Sequence, residues 1–174
     1  MRMICHHSTA AFTVLSAPLQ NGMKSCALAP GKPKNLLLFR HAKSSWDDPA
    51  LDDFDRPLAK RGNKAARLMA RWFADQELRP DVVLCSSAAR TRETYALVKP
   101  ALGADAPVRF EKRLYLAEAE DLLDRIHRLD DALSTVMIIG HNPGLQDLAL
   151  VLAGDATGRL GRRLAEKFPT AAVA

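Results

Sequence analysis

The chain has 174 residues, of which 48% are hydrophobic and 26% are charged. This composition is typical of one globular domain with a hydrophobic core, and no apolar run approaches the ~18 residues that a transmembrane helix needs. The net charge is +5, but residues 1–40 hold five basic residues and no acid, so the remaining 134 residues are balanced at 20 of each sign. A nucleic-acid-binding domain would carry its basic excess in the folded part. We therefore expect neither nucleic acid nor a membrane as a partner.

The cysteines point to a reducing environment. Cys5, Cys26 and Cys85 are odd in number and widely spaced, and they form no CxxC or Cys/His ligand pattern. The sequence therefore predicts neither a disulfide framework nor a zinc site. A cytoplasmic location fits this cysteine usage best.

Residues 1–33 differ in texture from the rest of the chain, with three prolines and no hydrophobic period. Two interpretations are open. Residues 10–19, after a basic start, faintly resemble a secretory or transit peptide. The simpler interpretation, which we favour, is a disordered leader or an overlong start with translation beginning at Met23. Residues 34–174 then form the folded domain.

From residue 34 onward, short apolar runs alternate with amphipathic segments. The pattern predicts strands at 35–39, 81–87, 107–111 and 134–141, with the start of a last strand, short or incomplete, at 168–174. It predicts helices from Pro57 to about residue 74, from about 88 until Pro100 ends it, around 122–129, at 144–153 and at 160–167. This alternation favours a three-layer α/β/α sandwich with a mostly parallel central sheet. In such sheets, ligands bind beyond the carboxyl ends of the strands.

Basic residues follow three of the predicted strands. The first strand ends in Arg40 and His41, and His141 follows the strand at 134–140. Arg90 and Arg92 lie in the first turn of the helix after the second strand. Arginine at a helix N-terminus is unfavourable with the helix dipole, but an anion is welcome there. Arginine also matches phosphate oxygens with a planar fork. The set predicts a cage for a phosphate dianion at one edge of the sheet.

The same residue types indicate a reaction. A neutral histidine can act as a nucleophile and form a covalent intermediate. Phosphoryl transfer otherwise needs positioning and charge neutralisation, which arginines can supply. No carboxylates cluster around the proposed phosphate to hold Mg²⁺. The residues are therefore suited to a metal-free mechanism through phosphohistidine.

Five sequence blocks occur together in one order, and with them the chain resembles the histidine phosphatase superfamily (the phosphoglycerate-mutase-like fold). Within it, the chain is most similar to the short SixA-type phosphohistidine phosphatases. The blocks are LLLFRHAKSSW (36–46), DFDRPLAKRG (53–62), SSAARTRET (86–94), RLYLAE (113–118) and IIGHNPGL (138–145). They cover the chain from about residue 34 to its end.

The resemblance implies roles for four residues. His41 corresponds to the nucleophile, Arg40 and Arg90 to the phosphate clamp, and His141 to the second histidine that holds the phosphoryl oxygens. Arg92 lies outside the clamp position and is expected to be a solvated helix charge. The resemblance implies no metal or organic cofactor. It also implies a phosphorylated protein or a small phosphorylated molecule as substrate, and we expect a monomer.

Two points stay open in the sequence. Larger members of the superfamily supply a carboxylate general acid, and here only Glu118 and Asp47 are candidates. The missing acid favours phosphohistidine over sugar phosphates, because an imidazole leaving group takes its proton from solution near neutral pH. The alternatives are a phosphatase of small phosphate esters or anhydrides, and a binding module without turnover. We expect the acidic loop at 52–56 to be solvated, with its carboxylates paired to Lys60 and Arg61.

Overall fold

The computed structural model describes residues 2–4, 11–13, 34–103, 106–154 and 158–174. The strands are β1 (Arg2–Ile4), β2 (Ala11–Thr13), β3 (Asn35–Arg40), β4 (Val82–Ser86), β5 (Val108–Glu111) and β6 (Thr135–Gly140). The α-helices are α1 (Lys60–Asp75), α2 (Ala89–Val98), α3 (Ala119–His127), α4 (Gly144–Ala153) and α5 (Arg159–Glu166). Most predicted elements are therefore found within one or two residues of their expected bounds. None of the described helices is long and apolar enough to cross a membrane.

The central sheet has the strand order β3-β6-β4-β5, and all three neighbouring pairs are parallel. Its two faces carry separate apolar clusters because alternate strand residues point to opposite faces. Phe39, Cys85 and Ile139 pack with α1 and α2 on one face. Leu38 and Ile138 pack with α3, α4 and α5 on the other. The predicted three-layer α/β/α sandwich is confirmed, and Cys85 is buried as a strand residue.

The end of the chain adds an antiparallel segment to the outer edge of β3. The N–H of Leu38 donates to the carbonyl of Ala174 at 2.9 Å, and the N–H of Ala174 donates back to Leu38 at 2.9 Å. Phe39 lies opposite Val173 in this antiparallel pairing. The predicted last strand is therefore present as a short pairing. It covers the edge of the strand that leads into Arg40.

The first helix begins later than predicted, and Pro57 is not its first residue. Residues 57–59 are extended, because the Pro57 carbonyl accepts from the N–H of Ser45 at 2.8 Å and the N–H of Leu58 donates to the Glu93 carboxylate at 2.7 Å. These bonds hold the segment against the loop after β3. The helix begins only at Lys60.

Near the N-terminus, β1 and β2 pair antiparallel, with Arg2 opposite Thr13. The rest of the segment before residue 34, including Met23 and most of the 10–19 stretch, lies outside the described residues. The leader therefore stays a prediction.

Candidate active site

His41 follows β3 at the carboxyl edge of the sheet and is only 8% exposed. Its Nδ1 lies 2.8 Å from the carbonyl of Ala42. Since a carbonyl can only accept, Nδ1 must carry the proton, and Nε2 keeps its lone pair in the neutral ring. The N–H of Ala42 donates to the Thr94 hydroxyl at 3.0 Å, which ties this loop to α2. The local structure therefore presents His41 in the tautomer that a nucleophile needs.

His141 follows β6, the neighbour of β3, and its ring centroid lies 5.0 Å from that of His41. It is 3% exposed. Its Nε2 lies 2.8 Å from the hydroxyl oxygen of Ser86, which also accepts from the N–H of Ala88 at 3.4 Å. The Ser86 hydroxyl has its one proton available to donate to Nε2, and in that arrangement the proton of the neutral His141 ring lies on Nδ1. This Nδ1 is buried and has no hydrogen-bond partner among the described residues.

Two arginines lie beside this histidine pair. Arg40, the last residue of β3, donates from a terminal nitrogen to the carbonyl of Phe168 at 2.6 Å, and its buried Nε has no partner among the described residues. Arg90, in the first turn of α2, is 4% exposed. Both arginines act electrostatically on His41 and His141. The structure thus brings together all four predicted site residues. Two of their buried nitrogens, Arg40 Nε and His141 Nδ1, are suited to donate to an oxyanion.

The environment keeps both histidines neutral. Burial lowers the pKa of His41 from 6.5 to about 4, and the positive charges of Arg90 and Arg40 add to this, although the Ala42 carbonyl opposes it. Burial also lowers the pKa of His141, to about 3, with smaller contributions from His41 and the two arginines. At neutral pH the His41 ring is therefore available as a nucleophile.

The pKa directions give a prediction that NMR can test. We expect the ring nitrogens of His41 and His141 in the free protein to take up a proton near pH 4 and pH 3, instead of near 6.5. Unfolded chains bind these protons near pH 6.5, so stability should also fall as the pH drops from about 6.5 to 4 for His41 and to 3 for His141. A ¹⁵N titration of labelled histidine, assigned with His41→Gln and His141→Gln variants, measures this. A midpoint between 6 and 7 for His41 would contradict the lowered pKa expected of a buried ring.

The Ser86 contact gives a second prediction. Ser86→Ala removes the donor that fixes the ring of His141, so we expect kcat to fall about tenfold. Ser87→Ala is the matched control, because Ser87 is the next residue and its side chain makes no hydrogen bond within the described residues. Steady-state kinetics on both variants measures the difference. Equal kcat values for the two variants would show that Ser86 does not orient His141.

The acidic loop at 52–56 is solvated only in part: Asp52, Asp53 and Asp55 are exposed as predicted, but the ion pairs of Asp53 differ from the predicted ones. Asp53 pairs with Arg90 at 2.8 Å and with Arg56 at 2.9 Å, and it does not pair with Lys60 or Arg61. Arg56 itself is buried. The charge pattern alone suggested a solvent-facing loop because it does not reveal that the chain folds this turn over the site. The only signal was that DFDRPL lies inside one of the five blocks.

Within the part of the chain that the structure describes, neither candidate general acid forms a hydrogen bond with a histidine of the site. The side chains of Glu118 and Asp47 are exposed, and the acidic residue that acts electrostatically on both histidines is Asp53. Tyr115, which was unassigned, stacks edge-on against His141 with centroids 5.3 Å apart and donates to Asp53 at 2.6 Å. Arg92 is exposed, as predicted for a helix charge. Among the described residues, no group of three or more His, Cys, Asp or Glu side chains could hold a metal ion.

Comparison with known proteins identifies the family. The sequence profile of the histidine phosphatase superfamily (branch 1) matches residues 36–128, more than half of the chain. The chain belongs to the histidine phosphatase superfamily. The matched stretch includes Arg40, His41, Asp53 and Arg90, and it ends before His141.

Individual proteins are similar to this one over most of the chain. An uncharacterized protein of Mycobacterium tuberculosis is 40% identical over 138 residues, which are 78% of this chain and 84% of that protein. A structure from Agrobacterium tumefaciens, assigned to phosphohistidine phosphatase SixA, has a TM-score of 0.74 and 33% identity over 82% of this chain and 90% of its own. The protein histidine phosphatase SixA complexed with tungstate has a TM-score of 0.67 and 25% identity, over 80% of this chain and 85% of its own. Among the histidine phosphatases, the chain is therefore SixA-like.

Proposed function

We propose that this histidine phosphatase is a metal-independent phosphohistidine phosphatase that acts, as a cytoplasmic monomer, on phosphorylated proteins. One observation carries the proposal. The neutral His41 has a free Nε2 lone pair, and its ring lies 5.0 Å from the ring of His141, whose buried Nδ1 has no partner among the described residues. A nucleophile and an oxyanion donor are thus side by side, with Arg40 and Arg90 close enough to lower the pKa of both rings.

The reaction follows from these groups. His41 Nε2 attacks the phosphorus in line, the bond from phosphorus to the substrate nitrogen breaks, and the departing imidazole takes a proton from solution. Arg40, Arg90 and His141 hold the three equatorial oxygens and neutralise their charge. Water then attacks the phosphorus of phospho-His41. The bond to Nε2 breaks, one proton of the water passes to solvent, and inorganic phosphate leaves with His41 restored.

The state of Asp53 favours a nitrogen leaving group. The hydrogen bond from Tyr115 holds the pKa of this carboxyl below its usual range, and the charges of Arg90 and Arg56 act in the same direction. Asp53 is therefore ionised near neutral pH and cannot protonate an alkoxide. An ester substrate needs that proton more than phosphohistidine does, since an imidazole is protonated readily from solution.

A substrate panel tests the proposal. We expect kcat/KM for a phosphohistidine-bearing protein to exceed that for sugar phosphates by about 100-fold, the lower range of what a general acid contributes. Equal or higher values for an ester or anhydride would instead support a small-molecule phosphatase. Binding of phosphoproteins without release of inorganic phosphate from any substrate would support a binding module and overturn the enzymatic assignment.

A further inference from the structure

Asp53 is bound to Arg90 by two hydrogen bonds, and the roles predicted for the four site residues do not account for them. Both terminal nitrogens of Arg90 donate to this one residue, one to its backbone carbonyl and the other to Oδ2 of its carboxylate. Arg90 is almost fully buried, whereas the Asp53 side chain is 46% exposed. The contact therefore joins the buried guanidinium of the site to a partly exposed acid in the loop at 52–56.

The Asp53 carboxylate is itself held from several sides. Its Oδ1 forms an ion pair with Arg56 at 2.9 Å, and its Oδ2 accepts from the Tyr115 hydroxyl at 2.6 Å as well as from Arg90 at 2.8 Å. Arg56 is held in turn by the Ser44 hydroxyl at 2.9 Å. A carboxylate held by two hydrogen bonds and one ion pair has one preferred position.

We propose that Asp53 is a positioning residue that holds the Arg90 guanidinium in the orientation that binds a phosphoryl group. The inference rests on the proposed function, because it assigns Arg90 to phosphoryl binding. A guanidinium has five N–H groups, so two bonds to Asp53 leave others directed elsewhere. Asp53 thus acts on the substrate only through Arg90.

The same contact could instead mean that Asp53 competes with phosphate for Arg90, and this interpretation gives the opposite prediction. If Asp53 were a competitor that occupies Arg90 until phosphate displaces it, removing Asp53 would tighten phosphate binding. Simple electrostatics has the same sign, because loss of a negative charge favours an anion. Positioning predicts weaker binding in spite of this charge effect. The pinning of the carboxylate by Arg56 and Tyr115 favours positioning, since a competitor must move.

Equilibrium binding of inorganic phosphate separates the two. We expect Asp53→Ala to weaken phosphate binding about tenfold by calorimetry. Asp53→Asn keeps an acceptor for Arg90 and Tyr115, so it should recover part of that loss. Asp55→Asn is the matched control, since it removes the same charge from an exposed side chain in the same turn, and it should change binding by less than about twofold. Unchanged or tighter binding in Asp53→Ala overturns the proposal.

A double-mutant cycle shows whether the effect passes through Arg90. In the Arg90→Ala background, Asp53→Ala should cause no further loss of phosphate affinity, which general destabilisation would not produce. An equal further loss would contradict positioning. The Arg90→Ala variant alone tests the proposed function separately: if it binds phosphate like the wild type, Arg90 is not a clamp. The melting temperature of each variant confirms that it is folded.

Discussion

His41→Ala is expected to abolish hydrolysis of phosphohistidine and phosphoramidate substrates, with a fall in kcat of about 10⁴-fold or more. The reason is that, among the histidines that the structure describes, His41 is the one that combines an unpartnered Nε2 with a position beside His141. The arginines and His141 would still bind phosphate, so binding should survive where turnover does not. Release of inorganic phosphate, followed with a phosphohistidine-bearing protein, measures the loss.

The control for this variant is His127→Ala. His127 is exposed on α3, and no hydrogen bond joins it to a site residue in the described part of the chain, so this variant should keep wild-type turnover. Retained activity in His41→Ala at the level of the His127 control would remove His41 from the mechanism. Calorimetry with inorganic phosphate separates a lost nucleophile from a lost fold, because only the second also eliminates binding.

The second large effect is expected from Gly144→Ala, at the first residue of α4. A Cβ at this position would lie 1.9 Å from the carbonyl oxygen of Ala117, which is backbone and cannot rotate away. The helix that follows His141 and the segment that follows Tyr115 are therefore in direct backbone contact. Separating them costs about 3 kcal/mol, which corresponds to a fall in melting temperature of about 6 to 12 °C.

Gly158→Ala provides the comparison for this prediction. A Cβ at Gly158 meets no atom of the described residues beyond its chain neighbours within 4 Å, so the melting temperature should change little. Because Gly144→Ala also displaces His141 or Tyr115, we expect its kcat to fall even at temperatures where the variant is folded. Thermal unfolding followed by circular dichroism, combined with kinetics at 15–20 °C below the transition, checks both parts. A melting temperature equal to that of Gly158→Ala would contradict the close approach.

The sequence predicted the layers of this fold because each strand is a compact apolar run. Leu38 and Phe39 illustrate this, since one packs against each face of the sheet. Parallel strands end at one edge, so the meeting of Arg40, His41 and His141 also followed from the order of the elements. The predicted start of α1 at Pro57 was wrong. The hydrogen bonds that hold Pro57 and Leu58 extended involve Ser45 and Glu93, which are distant in sequence.

The shell around the site was harder to predict for the same reason. Asp53 is 37 residues from Arg90 and 62 residues from Tyr115 in the chain. Nothing in the local sequence distinguishes an acid that pairs with a buried arginine from one that is solvated. Ser86 lies inside the block at 86–94, but the role of its hydroxyl was not predicted, because its contact with His141 spans 55 residues. The resemblance implied roles for Arg40, His41, Arg90 and His141, whereas the contacts that Asp53 and Ser86 make with them are identified only by the tertiary structure.

The measurement that tests the central claim most directly is the mass of the intact protein, recorded within milliseconds to seconds of mixing with a phosphohistidine or phosphoramidate substrate. The mechanism predicts a transient adduct of one phosphoryl group, mapped to His41 by fragmentation under conditions that preserve the phosphorus–nitrogen bond, and absent in His41→Ala. An adduct on another residue would contradict the assignment of His41. Turnover by a protein that never carries an adduct, even when the reaction is quenched during a single turnover, would contradict the covalent mechanism itself.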